Sequence, residues 1–161
     1  MSDRADELIR ELGLAPHPEG GYYRELFRSR RMVRTDDGRS ERWAVTTIYY
    51  LLRGTDVNPW HRVASDEIWH WYDGAPMELH LLDPQVTKAR MEGLGPVSAS
   101  NAPVRVVPAG CWQAVRCLGE FTLAGCTVAP GFEFSDFRLM RDMPEFATRL
   151  PQAFPDLTRF L

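Results

Sequence analysis

Turn signals recur along this chain at intervals of roughly 8–12 residues, and the stretches between them are rich in β-branched and aromatic residues. The strongest of these stretches covers residues 43–52. Short strands at this spacing are typical of an all-β sandwich or barrel. We therefore expect an antiparallel β-barrel with strands at 22–27, 43–52, 67–72, 77–82, 104–107, 111–117 and 121–128.

Helices are expected only near the two ends. Asp3 or Ser2 can cap a short helix that runs to about Leu12, where Gly13 would end it. A second helical pattern covers residues 144–150. Residues 54–59 are expected to form a turn, and 30–42 and 91–103 to form surface loops. With no fixed repeat and no linker, residues 1–161 are interpreted as one domain.

Composition excludes several classes of protein. The net charge of −3 argues against a nucleic-acid partner. No apolar run approaches the roughly 20 residues of a membrane span, and the start is too charged for a signal peptide. The three cysteines, Cys111, Cys117 and Cys126, are odd in number and include no CxxC pair, so we expect them to be unpaired, buried and inert. We expect a cytoplasmic protein.

Two clusters carry candidate chemistry. The first reads Gly54-x6-His61-x5-Glu67-x6-Gly74, and the second reads Val107-Pro108-Ala109-Gly110-Cys111-Trp112-Gln113. Together they resemble the two motifs of the cupin superfamily: Gly, then His-x-His, then Glu and Gly, followed later by Pro-x-Gly-x-x-His. In this alignment His61 and Glu67 match two of the usual metal ligands, whereas Val63 and Gln113 replace the other two.

Further motifs narrow the resemblance. Four segments occur in the order found in the Cupin-5 group, a family of single-domain cupins without an assigned function. They are His17-Pro18-Glu19-Gly20-Gly21-Tyr22-Tyr23-Arg24-Glu25, His61 to His70, Val107 to Gln113, and Gly131-Phe132-Glu133-Phe134. The resemblance implies a jelly-roll barrel with one pocket, commonly dimeric, but no reaction.

Strand alternation predicts which side chains share the pocket. If Glu67 points inward, Trp69 and Trp71 do too, while Ile68, His70 and Tyr72 face outward. The indoles and Gln113 would then bind a flat or ring-shaped small molecule. Further candidates rest on position alone: Tyr49 or Tyr50 as a proton donor, Arg24 and Arg62 as anion contacts, and His17 and Glu19 at the pocket rim.

Three functions stay open at this point. With valine and a carboxamide in place of two imidazoles, a divalent metal at His61, Glu67 and Gln113 would be weak and adventitious, so we expect no cofactor. His61 could then act as an acid–base group oriented by Glu67. This resembles the metal-free sugar-nucleotide epimerases among the cupins. The alternatives are a metal-dependent oxygenase or isomerase and a non-catalytic binding module.

Assembly is predicted from the same strand pattern. Residues 43–52 are so apolar that both faces of the strand are expected to be covered. A small barrel covers only one face from within, so we expect a homodimer with two-fold symmetry.

Overall fold

The computed structural model describes residues 3–54 and 56–161. Two α-helices lie near the ends, α1 at Arg4–Leu12 and α2 at Pro144–Ala153. Short 3-10 segments cover Phe134–Asp136, Met140–Asp142 and Pro155–Phe160. The strands are β1 Ala15–Pro16, β2 Tyr22–Arg28, β3 Met32–Val33, β4 Arg42–Trp43, β5 Thr46–Arg53, β6 Val57–Val63, β7 Asp66–Gly74, β8 Met77–Leu82, β9 Ala89–Leu94, β10 Asn101–Ala102, β11 Val104–Val107, β12 Trp112–Cys117, β13 Phe121–Ala129 and β14 Phe137–Leu139.

Helix α1 has the ends that the sequence predicts. The Asp3 carboxylate accepts a hydrogen bond from the Asp6 amide at 2.8 Å, which satisfies one of the free N–H groups of the first turn. Gly13 ends the helix in the left-handed conformation at φ 62°. Ala5 and Leu8 of this helix are buried against β5.

Two six-stranded sheets form the body of the molecule and pack as a jelly roll. One has the strand order β1-β2-β5-β13-β7-β11, and the other has the order β10-β9-β8-β12-β6-β14. Strand β13 pairs with β5 and β7 over most of its length. The main core lies between the sheets, and its buried side chains include Leu52, Leu79 and Val115. The predicted all-β jelly roll with short terminal helices is confirmed.

Three expected connections contain strands instead. Strand β6 begins at Val57, within the segment expected to turn. The expected loop at 30–42 contains β3 and the start of β4, and the expected loop at 91–103 contains part of β9 and all of β10. The sequence of β9 does not alternate clearly between polar and apolar residues. Its first residues lie at the margin of the sheet, where Arg90 and Met91 are exposed and Glu92 is half-buried. Backbone pairing with β8 holds this strand without a clear hydrophobic pattern.

Both sheets are partly covered on their outer faces by the chain itself. Helix α1 lies over Leu51 and Leu123 of the first sheet. The C-terminal segment, with α2, packs Leu150 and Phe160 against Trp60 and Trp112 of the second. No helix among the described residues is long and apolar enough to cross a membrane.

Candidate functional site

A cavity of about 330 Å³ opens into the space between the two sheets. Its lining is largely aromatic and aliphatic, with polar groups concentrated on β2, β6 and β7 and on the segment before β2. The lining side chains include His17, Tyr50, Asn58, His61, Val63, Glu67, Trp69, Cys126, Phe132, Phe134 and Phe137, together with Arg24 and Arg28. The predicted pocket residues His61 and Glu67 therefore meet in one cavity.

His61 presents an unprotonated nitrogen to this cavity. Its Nδ1 lies 2.8 Å from the carbonyl oxygen of Pro59, and because a carbonyl only accepts, Nδ1 must carry the proton. In the neutral ring Nε2 is then a free acceptor. The side chain is 6% exposed, and burial lowers its pKa to about 4. The ring also stacks on Phe137 at 5.3 Å between centroids.

The partner that orients His61 differs from the predicted one. The sequence suggests that Glu67 orients the imidazole and raises its basicity, but the hydrogen-bond partner is the Pro59 carbonyl, two residues before it on the same strand. Burial lowers the pKa of His61, and the neighbouring His17 lowers it further. His61 is therefore a neutral acceptor at physiological pH and is not part of a histidine–carboxylate pair.

Glu67 belongs to a chain of buried hydrogen bonds with Gln113 and Trp69. The Trp69 Nε1–H donates to Gln113 Oε1 at 2.9 Å, and Gln113 Nε2 donates to Glu67 Oε2 at 2.5 Å. An indole can only donate, so Trp69 determines which end of the amide faces Glu67. Burial raises the pKa of Glu67, and hydrogen bonds from Gln113 and the Cys126 thiol partly oppose that rise.

Gln113 is thus behind the cavity wall rather than in it. Its side chain is fully buried, and both ends of the amide are used within the protein. The sequence predicted a ligand-binding residue. The structure places it behind the wall, where it donates a hydrogen bond to the carboxylate of Glu67, a residue that does line the cavity.

The residues present do not fit a cupin metal ion. Val63 lines the cavity with a side chain that has no donor atom, and the oxygen of Gln113 is occupied by Trp69. Of the four motif positions, only His61 and Glu67 keep a free ligand atom, which is two ligands where structural and catalytic sites commonly use three or four. Within the described residues no group of three or more His, Cys, Asp or Glu side chains is placed to hold a metal.

A second imidazole, His17, lines the cavity from the segment before β2. Its Nδ1 accepts a hydrogen bond from the Glu19 amide at 3.0 Å, so in the neutral ring the proton is on Nε2. His17 thus has the opposite tautomer to His61. Gly21 allows the tight turn that brings it here: its φ is +73°, and a Cβ would lie 2.7 Å from the Leu51 carbonyl oxygen.

Of the two candidate tyrosines only Tyr50 lines the cavity. Tyr49 is on the outer face of β5, packed edge-on to Tyr72 at 6.1 Å, and it does not line the cavity. The Tyr50 hydroxyl donates to the Gly20 carbonyl at 2.9 Å and accepts from Asn58 at 3.1 Å. The hydroxyl proton of Tyr50 is therefore already used in the hydrogen bond to Gly20, and burial raises the pKa of this hydroxyl.

Of the two predicted tryptophans and the two predicted arginines, one of each lines the cavity and the other does not. Trp69 lines the cavity, but Trp71 packs into the core beside it and does not. Arg24 reaches the cavity and donates to the Leu12 carbonyl at 3.0 Å. Arg62 alternates with His61 on β6 and points the other way, stacking on Trp112 with 4.5 Å to the ring centroid. Arg62 was predicted to contact an anion in the pocket, but it does not line this cavity.

Glu19 is also outside this cavity. Its side chain is 10% exposed and lines a separate cleft of about 250 Å³ with Arg141 and Arg159. Its backbone still serves the main cavity, because the Glu19 amide determines the tautomer of His17.

Several cavity residues were missed by sequence reasoning. Cys126 was expected to be inert, yet its thiol lines the cavity and hydrogen-bonds Glu67. Strand alternation from a known inward residue of β13 would have identified it.

Asn58 also lines the cavity, but the sequence places it in an expected turn rather than in strand β6. Phe132 and Phe134 belong to a segment quoted for the family resemblance, and Phe132 packs edge-on to Phe134 at 5.1 Å. The three cysteines are free, as expected.

A ligand-sized cavity lies between the two sheets of a jelly roll, and a histidine and a glutamate reach it from consecutive strands of opposite sheets, which is the arrangement of a cupin. The chain belongs to the DUF985 family of the cupin superfamily, whose model matches residues 6–140. No match was found among curated proteins.

Solved structures agree with this membership. A protein from Shewanella oneidensis is 31% identical with a TM-score of 0.80, and the alignment covers 99% of this chain and 94% of that one. A hypothetical protein from Leishmania major is 30% identical with a TM-score of 0.83, covering 97% and 95%. Oxalate decarboxylase from Bacillus subtilis is 14% identical with a TM-score of 0.58, covering 87% and 34%, and shares the fold alone.

Proposed function

We propose that this cupin binds a small ring-shaped carbonyl compound and catalyses proton transfer on it without a metal, as an isomerase or epimerase. The observation that carries the proposal is the orientation of His61. Its Nδ1–H is held by the Pro59 carbonyl, so Nε2 is left as a proton acceptor on a side chain that lines the cavity.

The dimensions of the cavity support a small ligand. A volume of about 330 Å³ is near the lower end of the roughly 300–1,000 Å³ of typical ligand pockets. Trp69 and the phenylalanines at 132, 134 and 137 offer ring faces for stacking or C–H contacts. A sugar or sugar phosphate fits this space, and a nucleotide-sugar would place its nucleotide outside.

Proton transfer is assigned to the two histidines. His61 Nε2 would remove a proton from the carbon beside the carbonyl, and the electron pair would pass to the carbonyl oxygen. The Nε2–H of His17, whose Nδ1 is occupied by the Glu19 amide, would donate a hydrogen bond to that oxygen. If the deprotonated carbon carries a hydroxyl group, its O–H proton would pass to the former carbonyl oxygen, and His61 would return the abstracted proton to the former carbonyl carbon, which completes an isomerisation. An epimerisation would instead need a proton delivered to the opposite face of the original carbon, where water entering the open side of the cavity would have to supply it. Tyr50 is a poor candidate for either step because its hydroxyl proton is held by Gly20.

The lowered pKa of His61 suits this role in a specific way. The ring is neutral and ready to accept a proton at neutral pH, although its basicity in the empty cavity is weak. Negative charge that develops on the substrate oxygen would stabilise the imidazolium and raise that basicity during the reaction.

Deuterium exchange tests the proposal even though the substrate is unidentified. Sugars, sugar phosphates and nucleotide-sugars would be incubated with the protein in D₂O and their mass measured. We expect deuterium uptake at a carbon beside a carbonyl for at least one compound, unaffected by chelator and lost in His61→Ala. Arg62→Ala is the matched control, since Arg62 lies outside the cavity. Exchange that chelator abolishes would favour a metal-dependent enzyme, and binding without exchange a binding module.

A further inference from the structure

A second cleft, on the other side of the segment that carries His17, has features of a built binding site. It has a volume of about 250 Å³. Apolar residues and three charged residues line the same space: Pro18, Val57, Pro59, Phe160 and Leu161, with Glu19, Arg141 and Arg159.

The carboxylate of Glu19 lacks a hydrogen-bond partner. Its side chain is nine-tenths buried, and among the described residues Oε2 has no donor. The nearest cation is Arg141, whose Nη2 lies 3.9 Å from Oε2, beyond hydrogen-bond distance. Because an unpaired buried acceptor is costly, Glu19 is a side chain that a donor from outside the chain would stabilise.

The arginines of the cleft offer the opposite chemistry. The Arg159 guanidinium stacks on Phe160, with 4.8 Å to the ring centroid, and no carboxylate in the described residues pairs with it. Arg141 is half exposed and turned towards Glu19. A guanidinium in this situation can bind a carboxylate or phosphate through paired N–H groups.

We propose that this cleft binds a small zwitterion whose ammonium group meets Glu19 and whose anionic group meets Arg159 and Arg141. The apolar walls accommodate a short aliphatic body between the two charges. A ligand that carries charge of only one sign would pair either with Glu19 or with the two arginines, but not with both. The site is separate from the cavity of His61, and it does not depend on the function proposed for that cavity.

The two sites share one backbone segment. The Glu19 amide donates to His17 Nδ1, and the carbonyl of the next residue, Gly20, accepts from Tyr50. A ligand that draws on the Glu19 side chain therefore acts on the residue that determines the His17 tautomer. The imidazole nitrogen resonances of His17 should report occupancy of the second cleft.

Titration of isotope-labelled full-length protein tests the proposal by NMR. The probes are glycine, β-alanine and 4-aminobutyrate, with propionate and propylammonium as single-charge controls. We expect at least one zwitterion to cause saturable shifts at Glu19, Phe160 and the His17 ring at millimolar concentrations that leave both controls without effect. Absence of saturable shifts with all three zwitterions, or propionate binding as tightly as they do, would overturn the proposal.

Three variants locate the site. Glu19→Gln keeps the shape and removes the charge, and it should weaken the best zwitterion by roughly ten- to a hundredfold. Arg159→Ala should weaken it comparably, and it provides a second test should Glu19→Gln not fold. Glu145→Gln, an exposed carboxylate on α2 paired with Arg149, is the control and should change nothing. Unchanged binding in both Glu19→Gln and Arg159→Ala would refute the assignment.

Discussion

Gln113 Nε2 donates a hydrogen bond to Glu67 Oε2 at 2.5 Å, between strands β12 and β7 of opposite sheets. The amide is itself oriented by Trp69, so the position of the cavity carboxylate depends on two side chains behind it. In this cupin the position where the family resemblance implies a histidine ligand is occupied by a group that orients another side chain.

Replacing Gln113 with Leu should therefore lower the free energy of unfolding. It should leave the residues that line the cavity unchanged, because Gln113 lies behind the cavity wall. The variant leaves the Trp69 indole N–H buried without a partner and removes one hydrogen bond from the buried Glu67 carboxylate, at about 1–3 kcal/mol each. We expect a loss of about 2–5 kcal/mol in the free energy of unfolding, measured by urea denaturation. Gln152→Leu, at an exposed position of α2, is the control and should shift it by less than about 0.5 kcal/mol. Equal effects of the two variants would contradict the buried chain.

His61 should make stability depend on pH in acid. Burial holds its folded pKa at about 4, below the ordinary 6.5. As pH falls through 6.5 the unfolded chain gains a proton that the folded protein does not accept until about pH 4. The contribution is therefore present above pH 6.5 and lost between 6.5 and 4, and it amounts to about 3 kcal/mol.

The comparison that isolates this effect is wild type against His61→Gln. Both proteins share every other titrating group, so the difference between their free energies of unfolding should change by about 3 kcal/mol from pH 7 to pH 4, with wild type losing more. Urea denaturation across this range measures it. Parallel stability profiles would mean that His61 titrates normally.

The fold was predictable because its signals are local. The cap at Asp3, the left-handed Gly13 and the β-rich stretches each depend on neighbouring residues, and the alternation in β7 correctly oriented Glu67 and Trp69. Tyr49 could not be separated from Tyr50, because alternation gives two faces but not which one points inward.

Other parts of the site depend on information that the local pattern did not provide. Residues 54–59 have the composition of a turn, so the local pattern does not predict a strand that runs through His61 and Arg62. Without that strand, the sequence does not show that the two side chains point to opposite faces. The partner of Gln113 follows from the packing of one sheet on the other, and no local pattern encodes it.

The arginines at 24 and 62 should give opposite phenotypes. Arg24 reaches the cavity, and within the part of the chain that the structure describes its side chain donates to the Leu12 carbonyl alone, so it can meet an anionic ligand. Arg24→Ala should weaken binding of an anionic sugar by about tenfold, with stability unchanged.

Arg62→Ala removes the stacking of the guanidinium on Trp112. It should lower the free energy of unfolding by about 1 kcal/mol and leave ligand binding intact. Calorimetry and thermal denaturation of both variants measure the two effects, and normal anion binding in Arg24→Ala would remove Arg24 from the site.

A homodimer remains our prediction, now tied to a defined surface. Helix α1 covers one end of the outer face of the first sheet, but a row of Phe27, Thr47, Thr127, Ile68 and Val106 crosses five strands in register beyond it. Phe27 is 55% exposed and Val106 48%. Val106→Asp should shift sedimentation from dimer to monomer, whereas Val97→Asp, on an exposed loop, should not. A wild-type monomer at micromolar concentration would contradict the prediction.

The ligand set of a metal cupin should be restorable by two substitutions. Gln113 is the cross-strand neighbour of His61, and Val63 lines the same cavity. Val63→His with Gln113→His would add two imidazoles to His61 and Glu67, a set that suits Mn, Fe, Ni or Zn. Elemental analysis of untagged protein should find far less than one metal per chain in wild type and close to one in the double variant. Adding His61→Ala to the double variant should reduce the metal content again, because it removes a ligand. Stoichiometric, chelator-sensitive metal in the wild type would mean that Gln113 Oε1 leaves Trp69 to bind metal, and proton transfer by His61 alone would no longer describe the site.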